Sequence, residues 1–335
     1  MKKNLIILIV MVCLATVLFS IDRSQAAPYY EGKKIKIVVG FAPGGGYDRM
    51  ARLLAKHLPK YIPGKPAFII ENMPGASSMI TANYVYNIAK PDGLTLGTFN
   101  RGLPFAQLTA KKGAKFDMRK YAWIGSSAVE ATALVIRTDL PYKTFDEMLK
   151  DPSVKMFGST GPGDSNGHLL IMLQEFLGLK LKNISYPSSA DIMLAIERKE
   201  LDGRGSSYSS ALPFIDRGVV RPVLRGRISE EGIENLPVDE DLVTDPKAKT
   251  LLAMRSAPDG FGRPYVAPPG TPEDVMNILR EAFAKVEKDP ELQKDAEKNK
   301  MKITYVPAEE CLKVINFILN QPEEVVSEFK KFVQF

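Results

Sequence analysis

Residues 34–52 read KIKIVVGFAPGGGYDRMAR, and this stretch constrains the fold more than any other. The β-branched run over residues 35–40 has the composition of a buried parallel strand, and it stops at Pro43-Gly44-Gly45-Gly46. Past the glycines, Met50, Ala51, Leu53, Leu54 and Leu58 recur at helical spacing up to Pro59, with Asp48 placed to cap the helix. The unit is therefore strand, glycine-rich loop, helix. Its loop turns free backbone N–H groups and the positive end of a helix toward the carboxyl end of the strand, which attracts anions. Tyr47-Asp48-Arg49 follows the glycines, so neither the Lys-Ser/Thr of a phosphate loop nor a dinucleotide fingerprint is present. A tight turn with no ligand is the other reading of the same residues.

Residues 1–26 have the layout of a cleavable export signal. Lys2 and Lys3 precede an apolar stretch over residues 4–19, and Ser24-Gln25-Ala26 supplies the small residues a signal peptidase reads. A membrane anchor would need about 20 apolar residues, and the polar Asp22-Arg23-Ser24-Gln25 arrives too soon for one. Cys13 lacks the small residues expected before a lipidated cysteine. Loss of Lys2, Lys3, Arg23 and Asp22 lowers the formal net charge from +6 to +4. The remaining Lys and Arg are scattered among acids without aromatic interleaving, which argues against nucleic acid as a partner. Cys311 is then the sole cysteine, so an exported chain of this length must be held by a hydrophobic core rather than a disulfide, and its size suits two lobes.

The rest of the chain repeats the alternation of strand and helix, which predicts an α/β fold with mostly parallel sheets covered by helices. Strands are expected over residues 67–72, 94–99, 155–159, 183–186, 203–206, 219–224, 261–267 and 303–306. A nearly continuous β run over residues 121–129 and 131–136 is long enough to pass between two lobes. Thr144-Phe145-Asp146-Glu147 has the spacing of a capping box. Residues 155–177 repeat the opening unit: a strand ending at Ser159, then Thr160-Gly161-Pro162-Gly163-Asp164-Ser165-Asn166-Gly167, then an apolar helix from His168. Residues 226–250 read as polar and turn-rich, and Thr271 is placed to cap a helix with Pro272 in its first turn.

In order and spacing, these pieces resemble the substrate-binding proteins of the tripartite tricarboxylate transporter family, also called Bug or TctC receptors. The matching residues are the stretch from Ile37 through Gly46 with Asp48, Ala51 and Arg52; Glu71-Asn72 with Pro74-Gly75-Ala76; and Pro91-Asp92-Gly93 with Thr95-Leu96. They continue through the Gly161 to His168 loop with Leu169, then Tyr186, Leu201-Asp202 and Pro268-Pro269-Gly270-Thr271-Pro272. The resemblance implies a two-lobed periplasmic binding protein of type II-like architecture, with residues 27–130 and 251–335 in one lobe and 131–250 in the other. It implies a monomeric receptor without cofactor or catalytic activity that closes on a small organic acid and delivers it to the integral membrane permease of a secondary transporter. The resemblance leaves open whether the acid carries one, two or three carboxylates and whether its body is aliphatic or aromatic.

The resemblance places the carboxylate-holding loops at Phe41, Ala42, Pro43, Gly44, Gly45, Gly46, Tyr47 and Asp48 and at Ser159, Thr160, Gly161, Gly163, Asp164, Ser165 and His168. Two departures from the family pattern fall where ligand shape should be read: Tyr47 stands at a position that is usually small, and Tyr186-Pro187-Ser188-Ser189 replaces a Tyr-x-Gly-Ser-like turn. Asn100 and Arg101 follow a strand whose loop should open on the cleft, and Arg204 and Ser206 lie in a glycine-flanked strand. Either arginine could fork onto a second carboxylate, or pair with a nearby acid instead. Asp48 reads as a helix cap and loop brace. Gly163-Asp164-Ser165-Asn166-Gly167 also satisfies the nucleophile-elbow pattern of exported serine hydrolases, but His57 and His168 are the only histidines and neither is placed to serve Ser165 as base. The two histidines and one cysteine make no metal site. A sensory receptor for the same ligand is a third reading of the same residues.

Overall fold

The computed structural model describes residues 27–161 and 163–333. The expected export signal lies outside the described residues. The chain builds two mixed sheets, each flanked by helices. The opening unit forms as expected: β1 (Lys34–Val39), the glycine loop, then α1 (Gly46–His57). It is followed by β2 (Ala67–Asn72), α2 (Met79–Asn87), β3 (Thr95–Thr98), α3 (Leu103–Leu108) and β4 (Ala122–Ser126). The chain then crosses to the second sheet through β5 (Thr132–Arg137), α4 (Phe145–Lys150), β6 (Lys155–Ser159), α5 (Ser165–Leu177) and β7 (Leu181–Ser185). That sheet is completed by α6 (Ser189–Glu197), β8 (Gly203–Ser207), α7 (Tyr208–Asp216) and β9 (Val220–Arg225). After α8 (Pro246–Ser256), the chain returns to the first sheet with β10 (Pro264–Ala267), α9 (Glu273–Val286), α10 (Pro290–Lys298), β11 (Val306–Pro307), α11 (Ala308–Leu319) and α12 (Glu323–Phe329).

The first sheet has the order β11-β4-β10-β3-β1-β2 and the second β7-β6-β8-β5-β9. Strands β1, β2 and β3 run parallel, as do β6, β7 and β8, while the strands the chain adds after each crossing are antiparallel. Both sheets thus contain the same kernel, β2-β1-β3 and β7-β6-β8, in which the chain leaves the first strand in one direction and returns on its other side. The crevice at such a reversal, beyond the carboxyl ends of the strands, is where open α/β sheets take ligands. The loops at residues 40–45, 99–102 and 160–164 open there, as does the junction of β8 with α7 at Ser207 and Tyr208.

Period-two alternation explains why both faces of each sheet are covered. Ile35, Ile37 and Val39 pack with Met50, Leu54, Leu279 and Phe283 on one face of the first sheet, while Phe99, Trp123 and Val266 pack with Val85 and Ile315 on the other. In the second sheet Leu134, Ile136 and Phe157 face Leu169 and Leu173, and Ala133 and Val135 face Ile192 and Ile196. A further apolar cluster, with Phe105, Met172, Leu252, Ile318 and Phe329, joins helices of both sheets.

Several local expectations need correction. The cap of α1 is Gly45, with no side-chain bond; Asp48 lies one turn in, and its carboxylate reaches back to the loop instead. Helix α5 begins at Ser165, three residues before His168, because Asp164 accepts the Asn166 amide and caps it there. The Thr271 hydroxyl donates to the Pro268 carbonyl, and α9 is capped at Pro272 without a side-chain bond. The polar stretch after residue 226 contains the start of α8, and the C-terminal strand is confined to Val306–Pro307. The capping box at Thr144 forms, with its hydroxyl accepting the Glu147 amide at 3.2 Å.

Candidate ligand-binding cleft

A narrow cavity lies between the two strand reversals. Of the residues expected at the site, Phe41, Ala42, Gly45, Gly46, Tyr47, Asn100, Arg101, Thr160, Asp164, Ser165, Ser188, Arg204 and Ser206 line it. Asn166, Ser189, Ser207, Ser210 and Arg263 line it as well, and the sequence reading had not singled them out. Pro43, Gly44, Asp48, Ser159, Gly161, Gly163 and His168 are set back from the wall. Tyr186 lies in an adjoining depression with Gly40, Pro74 and Pro187.

The wall from the first sheet is organised by Asp48. Its Oδ2 accepts the Gly44 amide and Arg52 Nε, each at 2.9 Å, and its Oδ1 accepts Asn72 Nδ2 at 2.9 Å. Burial alone would raise this carboxyl, but these three donors outweigh it and hold the group below its ordinary range. With the loop so braced, the N–H groups of Gly46 and Tyr47 have no acceptor among the described residues and start a helix at the cavity wall. The Tyr47 ring stacks on Phe41 with centroids 4.6 Å apart, the Arg263 guanidinium lies 4.6 Å over its face, and its hydroxyl accepts the Arg101 amide at 3.0 Å. Gly46 is closely approached: a Cβ would lie 2.4 Å from Ser210 Oγ and 2.6 Å from an Arg263 nitrogen, two side-chain ends that would have to shift.

The wall from the second sheet repeats the arrangement. Asp164 accepts the Thr160 amide at 2.8 Å and the Asn166 amide at 3.0 Å, so this carboxylate is also absorbed by its own loop. Ser159 lies beneath Gly167 of α5, and its hydroxyl has no partner among the described residues. His168 is fully buried beside Phe105, and its amide bonds the Asp164 carbonyl. The two walls touch at Gly163, whose amide donates to Ser77 Oγ at 3.1 Å and whose carbonyl accepts Asn100 Nδ2 at 2.7 Å. Ser77 sits in a run of three left-handed residues, Ala76, Ser77 and Ser78, at φ 46°, 53° and 76°. Such positions cost about 1–3 kcal/mol each, and the Ser78 hydroxyl bond to the Gly40 carbonyl helps to hold the run.

Four arginines are buried among the described residues. Arg101 pairs with Asp259, Arg263 with Glu130 and Arg255 with Asp239, each at 2.8 Å. The expectation that Arg101 serves as a free fork meets a guanidinium already engaged: besides Asp259 it donates to Ser207, Thr132 and Asn166, at 3.1–3.2 Å, which uses four of its five N–H groups. It braces the two sheets across the crossing. Arg204 is different. Its Nε donates to the Gly205 carbonyl, and its terminal nitrogens donate to the carbonyl and hydroxyl of Ser189 at 3.2 Å. No carboxylate of the described residues stands within 4 Å of it. Burial lowers the affinity of this guanidinium for its proton, and the more distant charge of Asp164 opposes that only in part.

Residues 50–330 match the profile of the tripartite tricarboxylate transporter family receptor. The chain belongs to this receptor family. It is 26% identical over 324 residues to a UPF0065 protein of Bordetella pertussis, covering 94% of this chain and 95% of the relative. The periplasmic binding protein BugD superposes with a TM-score of 0.74 at 22% identity, over 91% of this chain and 99% of BugD. An R. palustris protein solved with adipate superposes with a TM-score of 0.72 at 17% identity, over 89% of this chain and 97% of that one. These structures share the two-sheet fold. As a member of the tripartite tricarboxylate transporter receptor family, the chain is a solute-binding protein and not an enzyme. Ser165 accordingly begins a helix at the cavity wall, and its G-x-S-x-G surroundings are the turn that positions that helix.

Proposed function

We propose that this protein is a periplasmic receptor that holds a small organic carboxylate between its two sheets and delivers it to the permease of a tripartite transporter. The observation that carries this reading is the meeting of two strand reversals, with the N-termini of α1 and α5 on opposite sides of one cavity. Backbone N–H groups there favour an anion, and a carboxylate shared between the two helix starts ties one wall to the other. Phe41, Ala42, Gly45 and Gly46 on one side, and Thr160 with Ser165 on the other, supply the contacts. The lobes are residues 27–130 with 251–335, and 131–250; the second boundary falls within α8, which packs on α5 through Leu251 and Met172. The export signal expected over residues 1–26 and the likeness in fold to BugD support the periplasmic assignment.

A thermal-shift screen of the protein from residue 27 onward, freed of carried-over ligand, tests the reading. Mono-, di- and tricarboxylates, aromatic acids and amino acids form the panel. A ligand that binds the folded form at free concentration L stabilises it by RT ln(1 + L/Kd) and so raises Tm, about 2.7 kcal/mol of added stability at a hundred times Kd. A rise with one class of acid is expected. No rise with any acid, on protein shown to be folded, would overturn it.

A further inference from the structure

We infer that Arg204 and the first turn of α6 form a second anion subsite, so that the ligand is a dianion, foremost a dicarboxylate; this rests on the carboxylate-receptor reading above. The inference begins with the sequence Gly203-Arg204-Gly205-Ser206-Ser207, every residue of which is buried. A charged side chain in the middle of a central strand needs a reason, because a buried guanidinium without a counter-charge is costly. The glycines show how the strand is used. A Cβ on Gly205 would lie 2.4 Å from the Asn166 carbonyl, so α5 lies directly on that face, and Arg204 and Ser206 project from the other. Register places Arg204 beside Gly158, next to the strand end that leads into the Thr160 loop.

The three other buried arginines provide an internal comparison. Each has a carboxylate at 2.8 Å, whereas Arg204 meets only three neutral oxygens, all from Gly205 and Ser189. A guanidinium has five N–H groups, so two remain, one on each terminal nitrogen, as donors that an anion in the cavity can accept. Ser189 is the first residue of α6. Ser188 caps that helix by accepting the Asp191 amide at 3.2 Å, which leaves the Ser189 and Ala190 amides without an acceptor among the described residues. Arg204, Ser188, Ser189 and Ser206 line the same cavity as the two carboxylate loops. The nearby acids are engaged elsewhere: Asp164 accepts its own loop amides and offsets Arg204 only in part, from a distance, and Asp191 in the first turn of α6 accepts the Ser188 hydroxyl at 2.7 Å. The missing counter-charge is then the ligand's own second anionic group. The same corner disfavours an ammonium group, which separates a dicarboxylate from an amino acid of equal length.

The test is calorimetric titration of a matched series: a dicarboxylate found by the screen, its mono-methyl ester, and the monocarboxylate of the same chain length. The unaltered protein is expected to bind the diacid at least a hundredfold more tightly than the ester. In Arg204→Met the preference should collapse to within about threefold, while the monocarboxylate keeps its affinity and so reports an intact fold and intact loops. Arg204→Gln, which keeps hydrogen-bond donors but not the charge, provides the same comparison should the methionine variant misfold, and Arg204→Lys should retain part of the preference. Equal binding of diacid and ester by the unaltered protein, or an undiminished preference in both neutral variants, would overturn the subsite while leaving the receptor reading in place. Absence of binding by every acid would instead remove the receptor reading.

Discussion

Arg101 Nε and Asp259 Oδ1 lie 2.8 Å apart with both side chains almost wholly buried, and they tie the loop after β3 to the segment that brings the chain back from the second sheet. The burial of Arg101 is offset by Asp259, which raises its affinity for the proton despite desolvation. Removing the guanidinium leaves Asp259 with only the Thr132 hydroxyl as a side-chain donor. Arg101→Ala should therefore lower stability by about 3–5 kcal/mol. Urea denaturation checks this, and a loss under 1 kcal/mol would show that the pair is not a structural brace.

Gly205→Ala tests the packing of α5 on β8. The new Cβ would meet the backbone oxygen of Asn166 at 2.4 Å, and backbone cannot swing aside as a side-chain end can. Overpacking of this kind costs about 1–3 kcal/mol. Thermal unfolding should show the loss, and ligand affinity should fall with it because Ser165 and Asn166 at the cavity wall are displaced together.

Tyr47 holds three partners at once, and two substitutions separate them. Tyr47→Phe keeps the stack on Phe41 and the cation over the ring but removes the acceptor for the Arg101 amide, at a cost of about 1 kcal/mol. Tyr47→Ala removes all three, and the aromatic pair alone contributes about 0.5–1.5 kcal/mol. The alanine variant should be the less stable in chemical denaturation and should admit bulkier acids. Equal stability of the two variants would mean the ring contacts contribute nothing.

Asp48 gives a pH prediction with a definite sign. Its folded-state pKa lies below the ordinary value of about 3.9, so the native state holds fewer protons than the unfolded chain between the two. The stability it contributes is complete above about pH 4 and is lost as pH falls through the lower, folded value. Asp48→Asn should flatten this part of the acid limb in a stability–pH series. An acid limb of unchanged slope would place the titration elsewhere.

Features set by neighbours in sequence were the ones the sequence displayed. The strand, glycine loop and helix at residues 34–57 follow from a β-branched run and its glycines, and the counterpart at residues 155–177 from a glycine-rich turn and the capping acid Asp164, all local chemistry. Partner choice was not legible in the same way. Arg101 and Arg204 both read as candidate forks, yet Arg101 has an acid, 158 residues away at Asp259. Arg263 and Ser210 reach the wall from distant segments without any motif of their own. Ser189 left a faint trace in the Ser188-x-x-Asp191 spacing, a helix start. Helix α8 was hidden by its Lys and Thr, with only Ala248, Leu251, Leu252 and Met254 to carry its apolar face.

The segments that pass between the sheets bond to each other: the Gly262 amide donates to the Ala128 carbonyl, the Glu130 amide to Asp259 and the Ser127 amide to Arg263. Entry to and exit from the second sheet are consequently side by side, zipped as a short antiparallel ribbon. Mechanically this is a strap rather than a pair of independent tethers. It resists sliding and stretching between the sheets and yields chiefly to bending and twist, so an opening motion is channelled into rotation about the ribbon. A pair of spectroscopic labels placed far from that axis, one on each sheet, would report a large change in separation for a small change in backbone angle, while labels beside the ribbon would register almost none.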